Sequence, residues 1–226
     1  KRASFSHTAS LTSSITIFNT LCRQTGAIQV NDMDELRDVL VVLRFIKPVP
    51  RDYGVVIMGQ GGGASVCASD EIERAGLKVP LLSSETQTEL KEFLPEAGGI
   101  FTNPIDSNLL FSAKGIIATG RVLGKLPEID MFVFHLGFHP ISRWGAKVIP
   151  SDKDALKPMV DALLETRAES GKPVLIALGP PLDLEGMKHF LTVQEAFVEA
   201  GLPVFYSLYQ AAKAIYRVVN WNRDRD

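Results

Sequence analysis

The sequence predicts an α/β domain whose parallel sheet is covered by helices on both faces. Short, continuous apolar segments alternate with longer segments in which apolar residues recur at helical spacing. Gly171 and Gly201 directly follow two of the helical segments, as is common where a helix leads into a strand. The five predicted strands cover residues 55–59, 78–82, 131–136, 173–178 and 203–206.

A short helical and extended tail precedes this domain. Apolar residues at near-helical spacing predict a helix from Ser13 to Gly26, followed by a short strand over residues 27–30. Either Asn31 or Asp32 is suited to cap a second helix.

A domain boundary is predicted over residues 47–52, where two prolines and three charged residues cannot continue the preceding helix. On this division, residues 1–47 are the tail of an upstream domain and residues 52–222 form the α/β domain.

The helices of the α/β domain are predicted from their apolar periodicity and their caps. Ser84 and Gln87 have the spacing of a capping box, and Pro104 biases Asn103 away from helix. The predicted helices cover residues 66–76, 84–94, 112–126, 152–170, 186–200 and 208–221. With no acid placed to bind a dinucleotide ribose, the sequence favours the strand order of a flavodoxin-like, doubly wound, five-stranded sheet.

A glycine turn after the first strand of this domain is the strongest candidate for a binding site. The first amides of a helix have no intrahelical partner, and glycines let an anion approach the backbone closely. We therefore predict a phosphate site formed by Gly61, Gly62, Gly63, Ala64 and Ser65.

Other glycine-rich turns fit less well. A dinucleotide site needs a ribose-binding acid after the next strand, where Ser83 and Ser84 stand instead. A nucleotide P-loop needs a Gly-Lys-Ser/Thr sequence, which does not follow these glycines. A turn that merely packs a helix onto a strand remains an alternative.

Composition and charge argue against several classes of protein. The chain has 226 residues, of which 46% are hydrophobic, and its formal net charge is −2, so nucleic acid is an unexpected partner. The longest apolar run, over residues 39–43, is too short to span a bilayer. Cys22 and Cys67 indicate buried free thiols in a reducing cytoplasm, and no metal site is predicted.

Polar residues outside the glycine turn are weaker candidates. His135 and His139 lie at the carboxyl end of a strand without a third metal ligand, so they are interpreted as loop-lining or core histidines. Asn103 and Asp106 either support a phosphate-binding loop or form an Asx turn, and the sequence does not decide between these roles.

Several ordered motifs resemble those of the NDP-forming acyl-CoA synthetases, which are relatives of succinyl-CoA synthetase. The likeness extends along essentially the whole chain. The motifs are Ser6-His7-Thr8-Ala9-Ser10-Leu11-Thr12-Ser13, Arg23-Gln24-Thr25-Gly26-Ala27-Ile28-Gln29-Val30, Gly61-Gly62-Gly63, Ala75-Gly76-Leu77 and Asn103-Pro104-Ile105-Asp106.

This resemblance implies a ligase that interconverts acyl-CoA, phosphate and NDP with acid, CoA and NTP through a phosphohistidine. His7 matches the phosphorylated histidine, and the turn from Gly61 to Ser65 matches the helix N-terminus that holds it. It implies CoA and NTP or NDP with Mg as cofactors of the complete enzyme. The implied partners are CoA-binding and ATP-grasp domains or subunits, and the chain alone is expected to be inactive and to hold at most phosphate or sulfate. A homo-oligomer is compatible with it.

A second interpretation is a non-catalytic module of the same kind, such as the regulatory part of a protein acyltransferase. Ala9 stands where the family usually has glycine, and Gln60 departs from the usual residues before the glycines. These departures favour the non-catalytic interpretation, whereas the retention of His7 favours the enzyme.

Overall fold

A computed structural model describes residues 14–59, 62–94, 99–137, 149–150, 152–181 and 183–224, with Gly62 described by its backbone alone. The helices of these residues are α1 (Ile15–Thr25), α2 (Met33–Phe45), α3 (Gly62–Arg74), α4 (Ser84–Phe93), α5 (Ala113–Leu123), α6 (Lys153–Ser170), α7 (Leu184–Glu199) and α8 (Leu208–Arg223). The strands are β1 (Val55–Gly59), β2 (Ile100–Phe101), β3 (Ile105–Asp106), β4 (Met131–Leu136), β5 (Val174–Leu178) and β6 (Val204–Phe205), and Asn108–Phe111 form a 3₁₀ turn.

The strands form one sheet in the order β2-β3-β1-β4-β5-β6. Strands β3, β1, β4, β5 and β6 are parallel, and β2 pairs antiparallel with β3 at the edge. The five parallel strands have the predicted flavodoxin-like order, so the predicted fold class is confirmed, with β2 as an additional edge strand.

The predicted strand over residues 78–82 is wrong. Lys78 makes a single parallel bridge to Gly54, and β3 is the neighbour of β1 instead. Pro80 has no N–H to donate, and the side chain of Asn103 donates a hydrogen bond to the Pro80 carbonyl oxygen at 3.0 Å. This side chain therefore lies where a continuing strand would have paired with β1.

Other local predictions also needed correction. Residues 27–30 form no strand, because they run along the surface between α1 and α2 without a ladder partner among the described residues. Helix α4 is capped by Ser83, which accepts a hydrogen bond from the Thr86 amide, and not by the predicted capping box of Ser84 and Gln87. Cys67 is exposed on α3, whereas Cys22 is buried as expected.

Successive side chains of each strand lie on opposite faces of the sheet, so the core has two layers. On one face, residues such as Met58 and Phe134 pack beneath α4, α5, α6 and α7. On the other face, residues such as Ile57 and Val133 pack beneath α2, α3 and α8. Burial on both faces explains why the strands are continuously apolar in sequence. No helix in the described part of the chain is both long enough and apolar enough to cross a bilayer.

Helix α2 is joined to this domain by apolar packing and by a buried ion pair. Asp32 caps the helix by accepting from the Glu35 amide at 2.7 Å, and Val39 and Val42 pack into the core layer that contains α8. The Glu35 carboxylate is buried, accepts from the Asn31 amide and is paired with Arg217 of α8. The predicted division of the chain near residue 47 remains a prediction.

Replacing Glu35 with glutamine should lower the free energy of unfolding by about 1–2 kcal/mol at neutral pH. Burial raises the pKa of Glu35, but the hydrogen bonds from Arg217 and Asn31 and the charges of Arg217 and Lys213 lower it further, so the net shift is downward. A lowered folded-state pKa stabilises the fold above the unfolded-state pKa, and the contribution is lost as pH falls through the folded-state value.

The difference in stability between wild type and Glu35→Gln should therefore shrink as the pH falls below the ordinary glutamate value of 4.5. Urea unfolding from about pH 3 to about pH 7 measures it. A difference that stays constant over this range would show that the ion pair does not contribute as described.

Candidate functional site

The candidate site lies at the carboxyl edge of the sheet, where β1 ends between β3 and β4. In doubly wound sheets, ligands bind outside the carboxyl ends of strands at the point where the strand order reverses. Gly59, the last residue of β1, is paired in register with Asp106 on one side and with His135 on the other. Three neighbouring strands therefore end within one residue of the same level beside the glycine turn.

Helix α3 begins at Gly62, three residues after the end of β1. Gly63 is exposed, and a Cβ added to it would meet no described atom within 4 Å beyond its chain neighbours and the backbone of its own helix, whereas Ser65 is buried. The first turn of α3 contains no acidic residue, so nothing on the helix itself neutralises the positive end of its dipole. Gly61 lies outside the described residues. Phosphate binding by Gly61, Gly62, Gly63, Ala64 and Ser65 remains a prediction.

Gly59 allows β1 and β4 to approach closely at this edge. A Cβ built on Gly59 would lie 3.0 Å from the His135 carbonyl oxygen and 3.5 Å from the His135 Cβ. A side chain here would push the end of β4 away from β1. The glycine thus keeps the two strand ends adjacent directly below the start of α3.

Asn103 supports β1 from the side. Its Oδ1 accepts from the Ile57 amide at 3.0 Å, and its Nδ2 donates to the Val55 carbonyl oxygen at 2.9 Å. The residue is 5% exposed and adopts a positive φ of 73°, a region that asparagine tolerates better than most residues. A side-chain amide thereby takes the place of a strand partner for β1, up to two residues before this strand ends at Gly59.

Asp106 and His135 are both half-buried at their strand ends. Sequence reasoning placed His135 at the end of a strand and Asp106 in a turn or loop before a helix, but it did not place them on opposite sides of Gly59. That relation depends on the register of strands that are far apart in the chain, and no local pattern encodes it. His139 lies outside the described residues, as does His7.

The described residues contain no group of three or more His, Cys, Asp or Glu side chains that could hold a metal ion. Asp70, Glu71 and Glu73 lie in the later turns of α3, away from its first amides. Within the described region, the chemistry available at the edge is therefore a set of backbone donors with one carboxylate and one imidazole nearby.

Comparison with known proteins shows which family this chain resembles. Residues 1–43 match a family model described as the succinyl-CoA ligase like flavodoxin domain. The chain is 34% identical to the alpha subunit of acetate–CoA ligase [ADP-forming] II from Pyrococcus furiosus over 134 aligned residues. This alignment covers 58% of this chain and 28% of that subunit. It is 26% identical over 227 residues to the alpha subunit of acetate–CoA ligase [ADP-forming] I of the same organism, covering 98% of this chain and 44% of that subunit.

A solved structure has the same fold. The dinucleotide-forming acetyl-coenzyme A synthetase 1 of Ca. Korarchaeum cryptofilum, in complex with phosphate and ADP, aligns with a TM-score of 0.74 at 20% identity. The alignment covers 99% of this chain and 44% of that one, so the chain spans less than half the length of each of these relatives. The chain is therefore similar in sequence to ADP-forming acetate–CoA ligases, and it has the fold of the solved synthetase.

Proposed function

We propose that the chain is part of an NDP-forming acyl-CoA synthetase and that its α3 N-terminus receives the phosphoryl group carried by His7. The observation that supports this proposal is the position of α3, which starts with exposed glycine backbone at the carboxyl edge of the central strand. The relatives described above are ADP-forming ligases, and the sequence around His7 falls within the matched residues 1–43.

The chemistry proposed for His7 is phosphoryl transfer. A ring nitrogen of His7 carries the phosphoryl group, and the terminal phosphate oxygen of NDP attacks the phosphorus. An O–P bond forms and the N–P bond breaks, leaving its electron pair on the ring nitrogen. The ring takes up one proton from solvent, so the products are NTP and neutral histidine. The three phosphoryl oxygens carry negative charge throughout, so preorganised N–H donors stabilise the group without rearrangement.

The residues of the carboxyl edge have distinct proposed roles. Gly61 to Ser65 supply amide donors to the phosphoryl oxygens, and the helix dipole adds about half a positive charge. Asn103 and Asp106 support the turn from the neighbouring strand, Asn103 through its bonds to β1. These roles require His7 to move to a fixed site.

The remaining parts of the reaction belong to other domains in this proposal. CoA, NTP or NDP, and Mg are bound by CoA-binding and ATP-grasp domains or subunits of the complete enzyme, in the cytoplasm. This chain alone holds at most a phosphate or sulfate at the glycine turn and is inactive without its partners.

The test is phosphoryl labelling of the complete synthetase that carries this chain. Labelled NTP, or labelled phosphate with acyl-CoA, should give acid-labile label in the wild type and none in His7→Asn. His189→Asn, which changes a histidine on α7, is the matched control and should keep the label. Acid-labile label that persists in His7→Asn would exclude His7 as the carrier.

A non-catalytic regulatory module is the second candidate, and Ala9 favours it because the family usually has glycine at that position in the histidine loop. If the chain is a regulatory module, neither the wild type nor His7→Asn should incorporate acid-labile label, although both bind nucleotide. The Ala9→Gly variant distinguishes the enzyme from the non-catalytic module further. If the chain is an enzyme whose histidine loop is strained by Ala9, this variant should incorporate more acid-labile label than the wild type.

A further inference from the structure

Two cationic side chains on the surface between α3 and α8 share one aromatic ring. The guanidinium carbon of Arg74, the last residue of α3, lies 4.3 Å from the centroid of the Tyr209 ring. The ammonium nitrogen of Lys213, one turn along α8 from Tyr209, lies 5.7 Å from the same centroid. We call Arg74, Tyr209 and Lys213 the cation cluster.

Arg74 has no acidic partner in the described part of the chain. Its nearest acidic neighbours in sequence lie on the same helix and form no ion pair with it: Asp70, Glu71 and Glu73. The exposed arginine is held instead over the half-buried ring of Tyr209, because a planar guanidinium stacks favourably on an aromatic face. Its N–H donors are therefore fixed near the ring and available to a bound acceptor.

The acid beside Lys213 already has a closer cationic partner. The Lys213 ammonium lies 3.9 Å from Oε1 of Glu35, near the outer limit of an ion pair. Glu35 is bonded more closely to Arg217 and also accepts from the Asn31 amide. One buried carboxylate thus faces two cations, and Arg74 adds a third positive charge. These four charged groups carry an excess of two positive charges around Tyr209.

A small dianion with tetrahedral oxygens matches this excess charge. Guanidinium and ammonium groups both donate to phosphate oxygens, and such charge-assisted hydrogen bonds are shorter and stronger than neutral ones. A phosphomonoester carries close to two negative charges near neutral pH. Because both cations lie on one ring, the cation cluster has the size of a single phosphate group rather than the length of a polyanion.

The cation cluster and the glycine start of α3 involve opposite ends of that helix. Gly62 is its first residue and Arg74 its last, so their backbones are about 18 Å apart at the rise of an α-helix. The cluster donates through side chains, whereas the helix start donates through backbone amides. Substitutions can therefore change one of these positions without changing the other.

We propose that the cation cluster binds a phosphate dianion, either free inorganic phosphate or the 3′-phosphate of CoA. Arg74 donates through the guanidinium that Tyr209 holds in place, and Lys213 donates through its ammonium. No covalent bond forms or breaks. The bound anion neutralises the excess charge and links α3 to α8. This inference does not depend on phosphoryl transfer by His7.

The test follows the ring signals of Tyr209 by carbon-13 NMR, which is practical because the chain has only 4 tyrosines. The chain is titrated at about pH 8, where phosphate is a dianion, with inorganic phosphate, CoA and dephospho-CoA. The ring signals should shift saturably with inorganic phosphate or CoA, but not with dephospho-CoA, which lacks the 3′-phosphate. Tighter binding of CoA than of inorganic phosphate would identify the nucleotide as the source, and the reverse would identify free phosphate.

Arg74→Gln should weaken this binding by about tenfold or more, because it removes charge-assisted hydrogen bonds. Arg74→Lys, which keeps the charge but loses the guanidinium fork, should weaken it less. Arg23→Gln is the matched control, since it removes the same charge from an exposed arginine of α1 and should leave the affinity unchanged. Gly63→Asp, at the other end of α3, should also leave the response of Tyr209 unchanged.

An equal shift with chloride at the same ionic strength would overturn the proposal, as would dephospho-CoA binding as tightly as CoA without any response to inorganic phosphate. Arg74→Gln binding as tightly as Arg23→Gln would also overturn it. A response that Gly63→Asp abolishes would show that the ring senses an anion at the glycine start instead. None of these readouts requires catalysis, so they are separate from the labelling test of His7.

Discussion

Replacing Asn103 with alanine is expected to lower the free energy of unfolding by about 3–5 kcal/mol. The substitution leaves the Ile57 amide and the Val55 carbonyl oxygen of β1 without their side-chain partners, and it also removes the bond to Pro80. A buried polar group that loses its partner costs about 1–3 kcal/mol. Alanine would also be strained at the positive φ of this position.

Equilibrium unfolding in urea, followed by circular dichroism, measures this loss. Thr102→Ala is the neighbouring control, because the Thr102 side chain is exposed, and it should change stability by less than about 0.5 kcal/mol. Asn103→Asp should be destabilising as well, since it keeps an acceptor for Ile57 but loses both donated bonds. An Asn103→Ala variant as stable as Thr102→Ala would refute the role assigned to Asn103.

Replacing Gly63 with aspartate is expected to weaken phosphate binding by about tenfold or more without unfolding the domain. A carboxylate about 6 Å from a phosphate oxygen costs about 2–3 kcal/mol at an effective dielectric constant near 20, before screening by salt. The fold should tolerate the change, because an added Cβ would meet no described atom outside the local backbone of α3 within 4 Å, and helix N-termini favour acidic residues.

Gly63→Asn is the matched control, since asparagine has the same shape without the charge. Calorimetric titration with inorganic phosphate should show the loss in Gly63→Asp and a smaller change in Gly63→Asn. Equal affinities for the two variants would mean that the phosphate does not bind near the first turn of α3.

Much of the fold could be predicted because burial on both faces leaves a strong signal in sequence. Strands β1, β4 and β5 are continuous apolar runs, and their predicted positions agree with the structure to within one residue. Strands β2 and β3 have two residues each, which is too few for any periodicity. The segment over residues 78–82 has a strand-like composition, but Pro80 and the side chain of Asn103 prevent it from pairing beyond Lys78.

Only those features of the candidate site that depend on residues close together in the chain could be predicted from the sequence. Glycines after an apolar run correctly indicated that a helix follows β1, but α3 begins at Gly62, four residues earlier than predicted. The bonds of Asn103 to β1 join residues 46 and 48 positions apart, and the register of Asp106 and His135 with Gly59 depends on strand pairing. Such relations follow from tertiary structure, so the sequence left the role of Asn103 open.

The central claim is that the first amides of α3 bind a negatively charged phosphoryl group. The most direct test is an NMR titration of the isotope-labelled chain with inorganic phosphate, in which each backbone amide is observed separately. If these amides bind phosphate, saturable shifts should be concentrated at the amides of Gly61 to Ser65. Amides that stay unshifted there while others respond, or a response that chloride reproduces at equal ionic strength, would contradict it.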